Sequence, residues 1–440
     1  MLSLMKKVIA ILLMASFLCL PRAAFAMSFE EERKIAQEVI TYLDSQGLIV
    51  YDREISWPVK MIADRLADHI KNPMYTFNVH VIMDRSVNAF TIPDGQIFIN
   101  IGTLLFAKDI DEIAAVIGHE MGHAQMRHIS QSLAEQKEVT AATIVGVILG
   151  ALLSTKNPQA GAALVYSSLG GSQNIQLAYS RRHELDADEF ANQLLGSSGF
   201  EPSAMNRFLV RLGAFAGQPN VPEYLLTHPY AMNRISGKSP DTGKSKPDSY
   251  YWSLYSSVSG LILPVDEASQ RAKGIPDPYR QLTLAMVETR KGRNEKALDL
   301  LKDVDLPLAN SYKGLNLYRM GKKDEAYSYL KQYGGNSADA QMALADIMEG
   351  KGEFDQAIAV LRPFQKQSIQ VDYRLGTLYD KSSRKSLAHV SYARYFFKTG
   401  KYKATLYHID KALEGKKDLD ESMVSELKEM KEFVKKVESK

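Results

Sequence analysis

Cysteine is almost absent from this chain of 440 residues: the only one, Cys19, lies in a short apolar segment near the N-terminus. Residues 1–26 have the layout of an export signal, with a basic start, an apolar stretch over residues 8–20 and the small-residue site Ala24-Phe25-Ala26. The stretch is too short to span a membrane comfortably. Cleavage after Ala26 leaves a mature chain without cysteine, which excludes a disulfide framework and a catalytic thiolate.

Net charge and long apolar runs are also scarce. The 54 basic and 51 acidic residues nearly balance, and the signal segment carries three basic side chains and no acidic one, so the mature chain is formally neutral. This balance gives no indication of a nucleic-acid partner. The most apolar internal run, residues 139–153, is too short for an ordinary membrane span. With residues 160–169 it predicts a buried helical hairpin, and an apolar lid or a membrane-surface contact is the alternative.

The most informative feature present is the sequence His119-Glu120-Met121-Gly122-His123. Apolar residues in a helical pattern precede it, so we expect it to lie on an α-helix, where positions i and i+4 share a face. His119 and His123 would then bind one metal ion, and Glu120 would take a proton from a water at that metal. Two histidines placed by chance on a surface helix are the alternative. The pattern favours a zinc peptidase with one Zn2+ per chain.

A third ligand is expected, because a catalytic zinc usually has three protein ligands and one open position. Residues 180–188 contain Glu184 and Asp188, which are four apart and therefore share a helical face. We assign Glu184 as the third ligand and Asp188 as the acceptor of a hydrogen bond from the free ring nitrogen of a zinc histidine. Taken alone, these carboxylates would also fit the acidic first turn of a solvated helix. Beside the histidine motif, we favour the ligand.

The histidine motif and the pattern S-R-x-x-E-x-x-A-D at residues 180–188 together resemble the gluzincin metallopeptidases that include HtpX, Oma and the CAAX prenyl proteases. Residues 88–99 resemble the family's N-A-F-x-x-P-G-G strand, with Asp94 where a glycine is usual, and residues 227–235 resemble its H-P-x-x-x-x-R segment. The resemblance covers roughly residues 28–240. With the export signal and a repeat tail, the whole chain resembles the BepA-like periplasmic proteases.

The same resemblance places the segment of His228 and Arg234 at the active-site cleft. There His228 would stabilise the transition state, with Arg234 beside it, or would occupy the open zinc position as an inhibitory fourth ligand; an ordinary loop residue is the alternative. An extended substrate also needs a strand edge for backbone hydrogen bonds. We expect residues 96–100 to form a strand with such an edge, and the predicted substrate-binding residues are Gln96, Ile97, Phe98, Ile99 and Asn100.

The C-terminal part of the chain repeats a short motif in which a glycine precedes an alanine. The glycines are Gly292, Gly321, Gly352 and Gly400, and the paired alanines are 29, 31 and 47 residues apart. These intervals favour degenerate tetratricopeptide-like (TPR-like) helix pairs over an ordinary helical bundle, and the last interval leaves room for an extra helix. Such a solenoid presents a concave surface that binds protein partners rather than a catalytic centre.

These features predict an α+β fold: a mainly helical zincin-type metallopeptidase domain with a small β-sheet, followed by an all-α TPR-like solenoid. The predicted boundaries are residues 1–26 for the signal peptide, 27–240 for the peptidase domain, 241–276 for a polar linker and 277–440 for the repeats.

The predicted function is that of a zinc-dependent endopeptidase of the bacterial cell envelope. The resemblance implies that it acts in the periplasm on unfolded or misassembled envelope proteins. The alternative is a TPR-based periplasmic chaperone or binding protein whose zinc site is silent or structural. The intact Glu120 favours the enzyme, because a purely structural zinc has no use for a general base.

Overall fold

The computed structural model describes residues 27–134, 140–154, 180–215, 223–228, 247–365, 368–415 and 419–438. The predicted signal peptide, residues 1–26, lies outside these ranges. Within them the chain is mainly helical with one three-stranded sheet, which confirms the predicted α+β class. None of the helices in the described ranges combines the length and the apolar character needed to cross a membrane.

The sheet and both motif helices lie in the part of the chain before residue 275. Its helices are α1 (Phe29–Ser45), α2 (Arg53–Ala67), α3 (Ile101–Phe106), α4 (Ile110–Gln125), α5 (His128–Ala134), α6 (Ala141–Ser154), α7 (Arg181–Ser197), α8 (Ala204–Gly213), α9 (Glu223–Thr227), α10 (Ser249–Ser257) and α11 (Val265–Arg271). A π-helical turn spans Val258–Ile262 and a 3-10 turn spans Ala272–Gly274. The strands are β1 (Asn78–Ile82), β2 (Ala89–Ile92) and β3 (Gln96–Asn100).

Strand β3 is the central strand of the sheet. β1 pairs with it in parallel, with Asn78 opposite Gln96, and β2 pairs with it antiparallel, with Ala89 opposite Ile99. The prediction that residues 96–100 offer an open strand edge is therefore wrong, because both sides of this strand are already paired. Among the described residues no strand pairs with the outer edge of β2, and this strand packs against α4.

Helix α4 runs through the larger apolar core of this part of the chain. Its apolar side chains Ile113, Val116, Ile117 and Met121 are fully buried, and they share one cluster with residues of α2, α8 and the sheet. The helix is buried from residue 112 to residue 124, so every polar group on that stretch needs a partner or a function. The histidine motif therefore lies in the interior rather than on a surface helix.

The apolar run of residues 139–153 forms α6 in its described part. Ile144 and Ile148 belong to the same apolar cluster as Ile35 and Val39 of α1. This packing agrees with a buried helix for the first half of the predicted hairpin. The second half, residues 160–169, lies outside the described residues.

Helices follow one another through the C-terminal part. They are α12 (Tyr279–Arg290), α13 (Asn294–Leu301), α14 (Pro307–Arg319), α15 (Lys323–Tyr333), α16 (Ala338–Gly350), α17 (Phe354–Leu361), α18 (Ile369–Lys381), α19 (Lys385–Lys398), α20 (Tyr402–Glu414) and α21 (Glu421–Glu438), with a 3-10 turn at Arg362–Phe364. Helices adjacent in sequence pack on one another, and α12 to α19 share one apolar cluster.

The motif glycines lie at turns between paired helices, as predicted from the repeat pattern. Their φ angles are 68° to 79°, a left-handed conformation that favours glycine. Ser383 has a φ of 61° and occupies the same place between α18 and α19, 31 residues after Gly352. The buried Ala388 follows it. The long last interval therefore contains a further turn in which serine replaces the motif glycine.

The repeats contact the first part of the chain at the start of α2. The Tyr312 hydroxyl donates a hydrogen bond of 3.3 Å to Glu54, and the Arg53 guanidinium lies over the Phe364 ring, 5.5 Å from its centroid. Burial raises the pKa of the Glu54 carboxyl well above its usual range and the pKa of neighbouring Asp52 to about 6. A buried carboxyl thus lies where the two parts meet.

The segment predicted as a linker, residues 241–276, is helical in most of its described part. Tyr251 and Leu254 of α10 and Val258 after it are buried in the same apolar cluster as α4. The Tyr251 hydroxyl donates to the backbone oxygen of Ala107 at 2.8 Å. The domain boundaries stay a prediction, but these helices pack as part of the core that surrounds the histidine motif.

Candidate metal centre

The histidine motif occupies the C-terminal half of α4. The helix begins after Asp109, whose side chain accepts a hydrogen bond from the Glu112 backbone and caps the first turn. His119, Glu120 and His123 follow three turns later, and each is at most 1% exposed. The predicted helical spacing therefore holds, and both imidazoles point from one buried face.

Helix α7 carries the second motif and begins at the Ser180 cap, which accepts from the His183 backbone at 3.2 Å. It packs against α4 through small residues. A Cβ on Gly122 would lie 3.0 Å from the Cα and the backbone oxygen of Ala187, and a Cβ on Gly118 would lie 3.8 Å from Ala191. Because these residues are small, α7 comes close enough for Glu184 to reach the histidines.

The structure brings His119, His123 and Glu184 together. The Nε2 atoms of the two histidines are 3.0 Å apart, Glu184 Oε1 is 3.4 Å from His123 Nε2, and Glu184 Oε2 is 3.7 Å from His119 Nε2. Two ligands at about 2.1 Å from a tetrahedral ion would lie about 3.4 Å apart. The two imidazole nitrogens and the Glu184 carboxylate therefore have separations expected around one metal ion.

His228 completes the cluster from the end of α9. Its ring stacks on Tyr224 with centroids 4.4 Å apart, its Nδ1 lies 2.9 Å from Glu184 Oε1 and 3.4 Å from His119 Nε2, and its Nε2 lies 3.4 Å from Glu120 Oε1. The candidate ligand atoms of all four residues lie within 4.8 Å of one another. His228 thus lies both in the candidate ligand set and against Glu120.

The outward nitrogens of the two motif histidines also have partners. His119 Nδ1 is 3.0 Å from Asp188 Oδ1, which is the contact predicted from the sequence. His123 Nδ1 is 2.9 Å from Nδ1 of His128, a residue that the sequence argument did not single out. His128 in turn stacks on His183 with centroids 4.2 Å apart. The spacing of His128, five residues after His123 and past the end of the helix, gave no periodic signal.

Burial and close charges shift the pKa values of these groups. Burial alone would raise the pKa of Glu184, but the adjacent histidines, His228 foremost, hold it well below its usual range. Burial lowers the pKa of His123. Burial also acts to lower the pKa of His228, but Glu184 and Glu120 outweigh it and raise this pKa to about 9. The carboxylates of Glu184 and Glu120 therefore stabilise positive charge at His228.

A divalent metal fits this donor set. Two imidazole nitrogens and one carboxylate suit zinc. In both motif histidines, Nε2 would face the ion, and the contact made by Nδ1 on the other side of the ring fixes the tautomer. Both carboxylate oxygens of Glu120 are buried without a hydrogen bond within the described residues, although Oε1 forms a 3.4 Å ion pair with His228 Nε2. A buried carboxylate left in that state is costly, and it is typical of a group reserved for a reaction.

The predicted substrate-binding residues are not part of the cluster. Residues 96–100 form the buried central strand, and Arg234 lies outside the described residues. The strand next to the cluster is β2: the Tyr224 backbone donates to Val87 at 3.0 Å, and Thr227 donates to Asn88 at 3.3 Å. The start of β2 is thus tied to the segment that carries His228.

Residues 57–237 match the model of Peptidase family M48. The matched range contains the whole His119, His123, Glu184 and His228 cluster. This confirms the predicted enzyme class and the resemblance to the gluzincin peptidases.

Three relatives show how far the similarity extends. The chain is 27% identical over 228 residues to the beta-barrel assembly-enhancing protease of Yersinia pestis, covering 51% of this chain and 46% of the relative. It is 23% identical over 431 residues to the protein of the same name in Escherichia coli (strain K12), covering 85% and 88%. It is 30% identical over 161 residues to the mitochondrial metalloendopeptidase OMA1 of Arabidopsis thaliana, covering 36% and 30%. The chain therefore spans about half of the Yersinia relative and most of the Escherichia coli relative.

Proposed function

We propose that the chain is a zinc-dependent endopeptidase that binds one Zn2+ through His119, His123 and Glu184. The observation that carries this proposal is the buried Glu120 beside three converging donor atoms. A binding protein with a structural zinc would leave that carboxylate without a role, whereas hydrolysis of a peptide bond requires a base at this place.

The residues of the cluster have different roles in the proposed hydrolysis. When bound, zinc acidifies a water molecule and polarises the carbonyl group of the scissile bond. Glu120 accepts a proton from the water as the oxygen attacks the carbonyl carbon, and it later delivers that proton to the amide nitrogen as the C–N bond breaks. Asp188 holds the ring of His119 through Nδ1, which keeps Nε2 free to bind the metal.

An extended substrate needs an open strand edge, and we place it at β2 rather than at β3. The outer edge of β2 pairs with no strand in the described part of the sheet, and β2 packs on the helix of His119 and Glu120. Backbone hydrogen bonds along that edge would hold a peptide with little dependence on its sequence. Loose sequence preference suits an enzyme that acts on unfolded chains.

His228 has two candidate roles, and its position supports an inhibitory latch. Its Nδ1 lies among the candidate ligand atoms and its Nε2 lies against Glu120, so the ring would occupy the fourth position of a bound ion and would cover the base. A donor to the transition state would lie in the same neighbourhood but would leave the fourth position open to the reacting oxygen. We assign His228 as the latch, and Arg234 as a further residue of the same segment.

The cellular role we propose is protein quality control in the bacterial envelope, with misfolded or misassembled envelope proteins as substrates. Support comes from the relatives named beta-barrel assembly-enhancing protease and from the signal-like residues 1–26, which would direct the chain to the periplasm. The TPR-like helices of residues 277–440 would recruit protein partners. Contact of the apolar residues 139–169 with a membrane surface is a further proposal.

The deciding experiment compares the wild type with Glu120→Gln. The variant should keep about one zinc per chain but lose cleavage of an unfolded substrate such as casein, because only the base is removed. Glu38→Gln makes the same chemical change on the exposed face of α1 and should cleave like the wild type. Wild-type cleavage by Glu120→Gln would refute the mechanism. A wild type that binds zinc without cleaving any unfolded substrate would favour the binding-protein alternative.

A further inference from the structure

His128 is held in place by contacts that reach across the fold. The residue before it, Arg127, has a φ of 56°, so the chain reverses sharply between α4 and α5. The Arg127 guanidinium forms an ion pair of 2.6 Å with Glu32 of α1, whose carboxylate is fully buried, and lies over the Phe29 ring at 4.5 Å. A left-handed conformation is unfavourable for arginine and persists only where its surroundings fix it. Here it turns the ring of His128, 2% exposed, back onto the last turn of α4.

The contact of His128 with His123 has one consistent assignment of protons. A histidine that binds a metal through Nε2 carries its ring proton on Nδ1, and His123 Nδ1 is 2.9 Å from His128 Nδ1. His123 must therefore donate, and His128 must accept on Nδ1 and carry its own proton on Nε2. The two motif histidines thus have different supports: a carboxylate, Asp188, behind His119 and a neutral imidazole behind His123.

We propose that His128 is the positioning residue of His123, and that it couples the two ligand helices at the metal centre. The coupling follows from its second contact: the ring of His128 lies parallel to that of His183, at 4.2 Å and 12°, and His183 immediately precedes Glu184 on α7. One ring therefore orients a ligand on α4 and touches the turn that carries the ligand on α7. The proposal rests on the proposed function in one respect, namely that the cluster binds zinc.

Substitutions that remove or keep the acceptor test this role. His128→Leu removes the acceptor, whereas His128→Asn keeps an acceptor oxygen close to the position of Nδ1. Loss of such an outer partner weakens metal affinity by about 10- to 100-fold. We expect that loss of zinc affinity for His128→Leu, measured by competition with a chromophoric chelator on the full chain, and at least partial recovery of affinity for His128→Asn. His69→Leu, at an exposed histidine, is the matched control and should bind zinc like the wild type.

A second measurement does not depend on any substitution in the site. In the zinc-loaded wild type, 15N spectra of the histidine rings should show His128 protonated on Nε2 and bare on Nδ1, with the resonance assigned by its absence in His128→Asn. Protonation of His128 on Nδ1 would overturn the proposal. So would wild-type zinc affinity in a His128→Leu variant that keeps the wild-type circular dichroism. Equal weakening in the Leu and Asn variants would also overturn it, because it would indicate a role in packing alone.

The readouts separate this inference from the proposed function. A wild type that binds zinc but cleaves nothing would contradict the proposed peptidase activity. The role of His128 could then still be tested by zinc affinity and by the 15N spectra. Normal cleavage and zinc binding in His128→Leu would contradict His128 alone. Failure of the wild type to bind zinc would overturn both.

Discussion

Gly122, inside the histidine motif, offers the sharpest test of how the metal centre is assembled. A methyl group added there would lie 3.0 Å from the Cα and the backbone oxygen of Ala187, whereas carbon atoms in contact normally lie about 3.5–4.0 Å apart. Backbone atoms cannot rotate away, so α7 would have to move by roughly 0.5 Å. Ala187 follows Glu184 by less than one helical turn, so that carboxylate would move with it. Metal ligands tolerate errors of only about 0.2 Å.

We therefore expect Gly122→Ala to weaken zinc binding by about tenfold or more, which is the size of effect seen when ligand support is lost. Replacing glycine with alanine inside a helix ordinarily stabilises a protein by about 1 kcal/mol. Overpacking costs about 1–3 kcal/mol and should cancel that gain here. The free energy of unfolding of the metal-free protein should thus be unchanged or lower.

Gly118→Ala is the matched control, because it lies one turn earlier on the same face. Its added methyl group would lie 3.8 Å from Ala191, an ordinary contact. This variant should gain stability from helix propensity and bind zinc like the wild type. Chelator competition and thermal unfolding of the two variants measure both quantities. Wild-type zinc affinity in Gly122→Ala, or an equal loss in Gly118→Ala, would refute the close approach of α4 and α7 as the cause.

Three further predictions concern other parts of the chain. His228→Ala should raise the basal rate of peptide cleavage if His228 is a latch; a fall in kcat of about 10²-fold with unchanged zinc affinity would indicate transition-state stabilisation instead. Glu54→Gln should raise Tm at about pH 8 and change it little near pH 4. The pKa of Glu54 is raised because its charged form is disfavoured in the folded state. The wild type therefore loses stability as the pH rises above about 4.3, whereas the variant with the neutral amide does not. An equal Tm difference at both pH values would contradict that reasoning. Removal of residues 277–440 should leave zinc bound, because the whole cluster precedes them. It should abolish the recovery of protein partners in pull-downs. Recovery of the same partners without these residues would contradict the role of the repeats.

The candidate ligands could be predicted from the sequence because helical periodicity is a local property. The i, i+4 spacing of His119 and His123 fixes their common face once the helix exists, and Glu184 and Asp188 follow the same rule on α7. The position of a strand at the edge or the centre of the sheet is not a local property of its sequence. The run at residues 96–100 is apolar at its three middle positions, 97–99, which fits a central strand, but only the pairing with both neighbours shows that its edges are closed.

The partner of His123 could not be predicted for a related reason. His128 reaches it through a left-handed arginine, and that conformation depends on an ion pair with Glu32, 95 residues earlier in the chain. The turn at Ser383 could not be predicted either, because glycine rather than serine is typical of a left-handed turn. At both positions the residue adopts a backbone conformation that its own side chain disfavours.

The candidate metal centre is assembled from distant parts of the chain, so the proposed activity would depend on folding. His119 and His228 are 109 residues apart, and Glu184 reaches both only after α7 has packed on α4. An unfolded chain has no such site, so tight metal loading must follow folding. A newly made chain would thus remain inert while it and its neighbours are still unfolded, and would acquire hydrolytic power only after its own backbone is protected within the fold.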